Sequence, residues 1–244
     1  MIAVNHLEGH ALSPRILNNV EFPYLLLLIS GGHTQFLDVK GVNNYKRLGT
    51  TIDDAVGEAF DKTAKLIGIE FPGGPQIEEY AKKGDAYYYK LPKPIINKGG
   101  CNMSFAGLKT AVLKISKKIQ NQDEKYHLAA SFQKTIEEIL AEKSKFAMNL
   151  FNENNNNKKN TFVIAGGVAS NNKIRKKLTD LSNEKKFEPV FPPINLCSDN
   201  AAMIAWAGIE RFRLGLTNEL DFSARSRWPL DEKAPFLKGP GLKL

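Results

Sequence analysis

Two largely apolar runs of strand length, Tyr24 to Ile29 and Thr161 to Ala165, each lead into a glycine pair, Gly31-Gly32 and Gly166-Gly167. A strand with no polar alternation has to be covered on both faces, which an α/β arrangement provides. Patterns of helical spacing lie between and after these runs, so alternating strands and helices are the expected architecture.

The local readings follow from turn and cap chemistry. Gln35 to Val39 is expected to return as a hairpin partner of the first run across Ser30 to Thr34. Asp53 to Gly68 carries apolar residues at helical spacing, with Asp53 and Asp54 placed to cap its first turn. Pro75, after Pro72-Gly73-Gly74, suits the opening of the next helix. Phe132, Ile136, Ile139, Leu140, Ala147 and Leu150 mark one face of a long amphipathic helix, ended by a polar loop from Asn152 to Asn160. Asn171 to Leu181 resumes helical spacing, and Ser198-Asp199-Asn200 is expected to cap an apolar helix from Ala201 to Phe212.

Composition removes several function classes. The 244 residues allow one large domain or two modest ones, and neither apolar run approaches the length of a membrane span. Lys and Arg exceed Asp and Glu by 34 to 26, and a net charge of +8 favours polyanionic partners without proving one. Cys101 and Cys197 form neither a zinc pattern nor a disulfide framework, which fits a reducing, cytoplasmic compartment. No signal peptide is read at the start of the sequence.

His6 and His10 stand four residues apart, so on a helix they project from one face and can share a metal ion. Leu7 occupies the place where a zincin protease needs its general base. Glu8 lies about 200° around the helix from His6 and points elsewhere. Glycines at strand ends free backbone N–H groups for phosphate or acyl-phosphate oxygens, although neither pair matches a P-loop or the dinucleotide fingerprint. Asp61 has an ordinary reading as an ion-pair partner of Lys65, and Asp199 as an N-cap. A carboxylate at a helix start is also where a third hard ligand could sit, facing the histidines.

Together these segments resemble the TsaD family of tRNA N6-adenosine threonylcarbamoyltransferases, formerly called O-sialoglycoprotein endopeptidases. The likeness runs in order through Asn5 to His10, Leu28 to Gln35, Asp53 to Ala64, Phe71 to Pro75, Ser104 to Thr110, Ala165 to Asn171 and Cys197 to Ala205. It implies an actin-like ATPase fold of the sugar-kinase type, RNase H-like and two-domain, with the first domain incomplete. Residues 1–23 and 200–225 would belong to that first domain, 24–199 to the second, and 226–244 to a C-terminal tail.

The resemblance further implies a divalent metal, Fe2+ ahead of Zn2+, on His6, His10 and Asp199. Leu28, Ile29, Ser30, Gly31 and Gly32, with Asp61, Gly74 and Asn171, fall on its substrate-binding positions. The reaction implied moves a threonylcarbamoyl group from threonylcarbamoyl-adenylate to N6 of adenosine 37 in tRNAs reading codons that begin with adenine. The partners implied are tRNA and TsaB-like and TsaE-like subunits. The family also carries about a hundred residues ahead of the histidine motif, enough for much of a small domain. Two other readings stay open: an actin-like ATPase or sugar kinase using the same glycine turns, and a non-catalytic remnant that binds partner subunits.

Overall fold

The computed structural model describes residues 1–17, 20–155 and 160–235. Its centre is a five-stranded sheet in the order β3-β2-β1-β4-β5, formed by Tyr24–Ile29 (β1), Thr34–Gly41 (β2), Asn44–Thr50 (β3), Asn160–Ala165 (β4) and Phe187–Val190 (β5). β1, β2 and β3 form an antiparallel meander, while β4 runs parallel to both β1 and β5.

The apolar runs are explained by two cores, one on each face. Leu25, Leu27 and Ile29 of β1 join Phe162 and Ile164 of β4 in the larger core. Helices Val56–Leu66 (α2), Gly73–Ala81 (α3), Ala106–Ser116 (α4), Gln122–Asn154 (α5) and Asn172–Glu184 (α6) build on that face. Tyr24, Leu26 and Leu28 point the other way, with Val163 and Ala165, against Leu7 and Ala11 of helix His6–Leu12 (α1). Strand periodicity therefore assigns alternate residues of one run to different cores.

α1 packs on the helix Ala201–Arg213 (α8), which follows the short helix Ile194–Cys197 (α7). Gly9 lies in this contact, where an added Cβ would stand 3.0 Å from Ile204 Cδ1 and 3.3 Å from Met203 Cγ and would press on both side chains. On the outer side of the contact, Glu8 is buried. It accepts hydrogen bonds from the Tyr45 hydroxyl at 2.8 Å and the Asn43 N–H at 3.0 Å, and pairs with Arg211 at 2.8 Å. This fixes the roll of α1 and turns Glu8 away from the histidines, as its helical angle predicts.

Several local expectations are corrected. α2 begins at Val56, and Asp53 and Asp54 do not cap it. Asp53 instead accepts from the Phe105 and Ala106 N–H groups at 2.7 and 3.3 Å, serving the start of α4 across 52 residues of sequence. Asp54 pairs with Lys109 and Lys62. α3 starts at Gly73 rather than at Pro75, because Asp61 Oδ1 accepts the Gly73 N–H at 2.9 Å and so supplies the cap from α2. The long helix α5 starts ten residues before Phe132 and ends at Asn154, and Asn160 already belongs to β4. Asn200, not Asp199, caps α8 by accepting the Met203 N–H at 2.9 Å. Residues 156–159 of the expected loop and 236–244 of the expected tail lie outside the described residues.

Candidate metal centre and glycine turns

Releasing Asp199 from capping leaves its carboxylate free to face α1. His10 Nε2 lies 2.9 Å and His6 Nε2 3.4 Å from Asp199 Oδ1, and the three side chains each offer a ligand atom within 4.8 Å of the others. The two imidazoles meet edge to face with centroids 5.0 Å apart. Asn5 caps α1 by accepting the Leu7 N–H at 2.9 Å, which sets the helix phase that points both histidines one way.

The environments of the three residues differ usefully. His10 is only 1% exposed, and its Nδ1 has no hydrogen-bond partner among the described residues. A satisfied core histidine would have one. Burial, ahead of the opposing pull of Asp199 and with the help of His6, lowers its pKa and keeps the ring neutral, the state a metal requires. The side chains of His6 and Asp199 are 52% and 73% exposed, so the site opens outward. Two imidazoles and one carboxylate, with one face open, make a donor set suited to a divalent transition metal.

The turn after β1 sits beside this corner. Ser30 holds it: its N–H donates to His33 O at 2.8 Å, its hydroxyl accepts from His33 N at 3.1 Å, and its carbonyl accepts from Gly57 N at 3.2 Å. Gly57 is obligatory, since a Cβ there would stand 2.6 Å from Ser30 O and 2.8 Å from Gly31 Cα. Gly31 and Gly32 are different: a Cβ on either would meet nothing within 4 Å, so the chain there faces open space. His33 carries the turn to the metal corner. Its pKa is lowered first by burial and then by the nearby His6 and His10.

Leu28 and Ile29 lie fully buried in β1, with side chains in opposite cores, so only their backbone is available to a ligand. At the end of the neighbouring strand β4, Gly166 adopts φ +97°, with its Cβ position 2.5 Å from Ile29 O. The two glycine turns therefore adjoin at the carboxyl ends of parallel strands, where α/β sheets bind ligands. Asn171 caps α6 through Lys173 N and Ile174 N, and its amide donates to Gln133 at 2.9 Å. The next residue ties this point to α3, with Asn172 N donating to Glu78 at 2.9 Å. Gly74, on α3, has open space at its Cβ position. Asp61 is spent on Gly73 and not on Lys65.

A groove of about 460 Å3, lined by Asn5, His6, His33, Phe222, Arg225 and Trp228 among others, opens beside the histidines. Sequence reasoning missed its far wall. An aromatic embedded in Arg225-Ser226-Arg227-Trp228 was the available signal, and His33 stood in plain view after Gly31-Gly32.

Comparisons with known proteins bear on the family and the fold. The family profile for TsaD, tRNA N6-adenosine threonylcarbamoyltransferase, matches residues 1–206. The tRNA N6-adenosine threonylcarbamoyltransferase of Pelagibacter ubique is 70% identical over 243 residues, covering 100% of this chain and 68% of the relative. Those of Rhodospirillum rubrum and Rickettsia bellii are 49% and 53% identical, covering 98% and 95% of this chain and 67% and 68% of the relatives. Among solved structures, full-length HypF in a phosphate- and nucleotide-bound form superposes with a TM-score of 0.63 at 14% identity. That match covers 86% of this chain and 36% of HypF, and it speaks to fold alone. No helix among the described residues is long and apolar enough to cross a membrane. Fold, motif order and relatives converge: the chain is an actin-like α/β protein and belongs to the TsaD family, the tRNA N6-adenosine threonylcarbamoyltransferases.

Proposed function

We propose that the chain takes the threonylcarbamoyl group from L-threonylcarbamoyladenylate and places it on N6 of adenosine 37 in tRNAs reading codons that begin with adenine, releasing AMP. The observation that carries this reading is the convergence of His6, His10 and Asp199 within 4.8 Å, beside an open glycine turn. These three side chains would hold one divalent cation, and burial favours the neutral His10 ring that such a cation needs. When bound, such a cation supplies Lewis-acid stabilisation of negative charge on the donor. Two imidazoles and a carboxylate suit Fe2+ and Zn2+ alike, with Fe2+ the expectation from the family resemblance.

The chain's own residues align the reaction. The backbone from Leu28 to Gly32 lies against the adenylate, with Gly31 and Gly32 giving close approach to its phosphate oxygens. Asp61, Gly74 and Asn171 line the rest of the donor site through the segments they cap or open. The N6 lone pair of the acceptor attacks the carbamoyl carbon, the bond from that carbon to the phosphate oxygen breaks, and AMP departs with the electron pair as the amine gives up a proton. The amine is a weak nucleophile, so alignment and charge stabilisation carry the rate, with no covalent enzyme intermediate. An anticodon-loop base is unpaired, which lowers the cost of presenting it. The net charge of +8 supports binding to tRNA phosphates.

The reading also takes residues 1–23 with 200–225 as one domain portion and 24–199 as the other, places the protein in the cytoplasm, and includes TsaB-like and TsaE-like subunits as partners. The test is a reconstituted reaction with tRNA and threonylcarbamoyl-adenylate, followed by nucleoside analysis. Modified adenosine is expected with the native chain and none with His10→Ala. Undiminished transfer by His10→Ala, or ATP hydrolysis indifferent to tRNA and adenylate, contradicts the reading.

A further inference from the structure

The segment after α8 folds back across the mouth of the metal corner and builds a surface that the proposed reaction has not yet used. Asn218 fastens it to the start of the chain, donating its N–H to Met1 O at 2.8 Å and accepting from Ala3 N at 2.9 Å. Farther along, Asp231 accepts the Arg47 N–H of β3 at 2.8 Å. Between these anchors, Asn5 Nδ2 donates to the backbone carbonyl of Trp228 at 2.6 Å. The residue that caps the histidine helix thus also sets the position of Trp228.

Trp228 and Phe222 lie with ring centroids 5.5 Å apart, tilted 38°. The Arg225 guanidinium sits 5.3 Å from the Trp228 ring and 5.7 Å from the Phe222 ring. All three line the same 460 Å3 groove as His6 and His33. Both rings are only half-buried and Arg225 is 51% exposed, so the group is not a closed satellite core. Two aromatic faces and a planar cation around an open groove match a flat, electron-rich heterocycle, and a base stacks on such a surface whatever its sequence context.

We propose that Phe222, Arg225 and Trp228 form the seat for the unpaired purine of the RNA acceptor, holding it beside His6. The proposal rests on the transferase reading above, which assigns the glycine turns to the donor and leaves this opposite wall of the corner for the acceptor. Arg225 is neutralised by Glu232 at 3.2 Å, and Arg227 next to the seat suits the phosphates flanking a splayed base.

The experiment uses an anticodon stem-loop RNA with 2-aminopurine in place of the target adenosine, which lacks the reacting amine and loses fluorescence on stacking. Binding to the native chain is expected to quench it. Trp228→Ala should abolish the quench and weaken the RNA about tenfold, as for one lost base–aromatic stack, while Trp228→Phe should retain most of both. Because Asn5 holds the backbone carbonyl of residue 228, the alanine variant loses the ring and keeps the anchor. Trp228→Ala, assayed with the natural stem-loop, should raise KM for RNA and leave KM for the adenylate unchanged. An unquenched RNA probe, a quench that survives Trp228→Ala, or quenching of free 2-aminopurine ribonucleotide but not of the RNA overturns the seat. Transfer to adenosine by a native chain that shows no quench overturns the seat and leaves the transferase reading standing. A Trp228-dependent quench without any transfer upholds a purine seat and removes that reading instead.

Discussion

The candidate metal corner and the proposed donor-site positions on α2, on α3 and at the start of α6 place polar side chains in opposite ways. Asp61 and Asn171 each carry structural bonds, closing the starts of α3 and α6, and Asn171 also satisfies the buried Gln133. His6 and Asp199 carry none of that work: among the described residues their side chains pair with each other and, for Asp199, with His10, and much of their surface is exposed. A polar residue serving the fold and a polar residue held for a ligand can therefore be told apart by what each bonds. The difference predicts separable phenotypes.

Asp199→Ala sharpens the contrast most. Transfer should fall at least about a hundredfold with loss of a ligand, while the exposed position keeps the stability change within about 0.5 kcal/mol. Kinetics and a denaturant midpoint on one preparation check both halves, and a large fall in stability would break the comparison. Next come the glycines. Gly166→Ala puts a Cβ 2.5 Å from Ile29 O at φ +97° and should cost about 2–4 kcal/mol by strain and collision. Gly31→Ala meets nothing within 4 Å, so it should unfold at the native midpoint and show its effect in adenylate affinity, measured by calorimetry.

Asn171→Ala should cost about 2 kcal/mol, since it removes a cap and strands the Gln133 side chain. Asp61→Ala should cost about 1 kcal/mol, for the cap alone. Thermal melts order the two, and the reverse order would mean that Gln133 finds another partner. The last effect is a pH dependence, gradual across the alkaline range. Burial pushes the Cys101 thiol from 9.0 up to about 11, opposed by Lys143. The unfolded chain ionises first, so this contribution is complete below pH 9 and fades as pH rises toward 11, by up to about 2 kcal/mol. Denaturant midpoints from pH 8 to 11 should fall less steeply for Cys101→Ala than for the native chain.

Much of this was legible in the sequence because it is local. Apolar runs announced β1 and β4, and the four-residue spacing of His6 and His10 announced a shared face once α1 formed. The hidden features depend on partners distant in sequence. β5 contains Pro189 and only four residues, so it makes a weak strand signal until β4 lies beside it. Asp53 and Asp61 look like features of their own helix and cap different ones. Asp199 reads as a cap until Asn200 takes that role and frees it. The wall made by Phe222 and Trp228 has no periodicity, because a strap held by Asn5, Asn218 and Asp231 needs none.

The proposed transfer needs a single cation shared by His6, His10 and Asp199, from both ends of the chain. Metal analysis of protein loaded with Fe2+ or Zn2+ and then exchanged into metal-free buffer tests it most directly. One equivalent per native chain is predicted, and close to none in His6→Ala, His10→Ala and Asp199→Ala. A full equivalent retained by any of the three, in a variant that melts like the native chain, would contradict it.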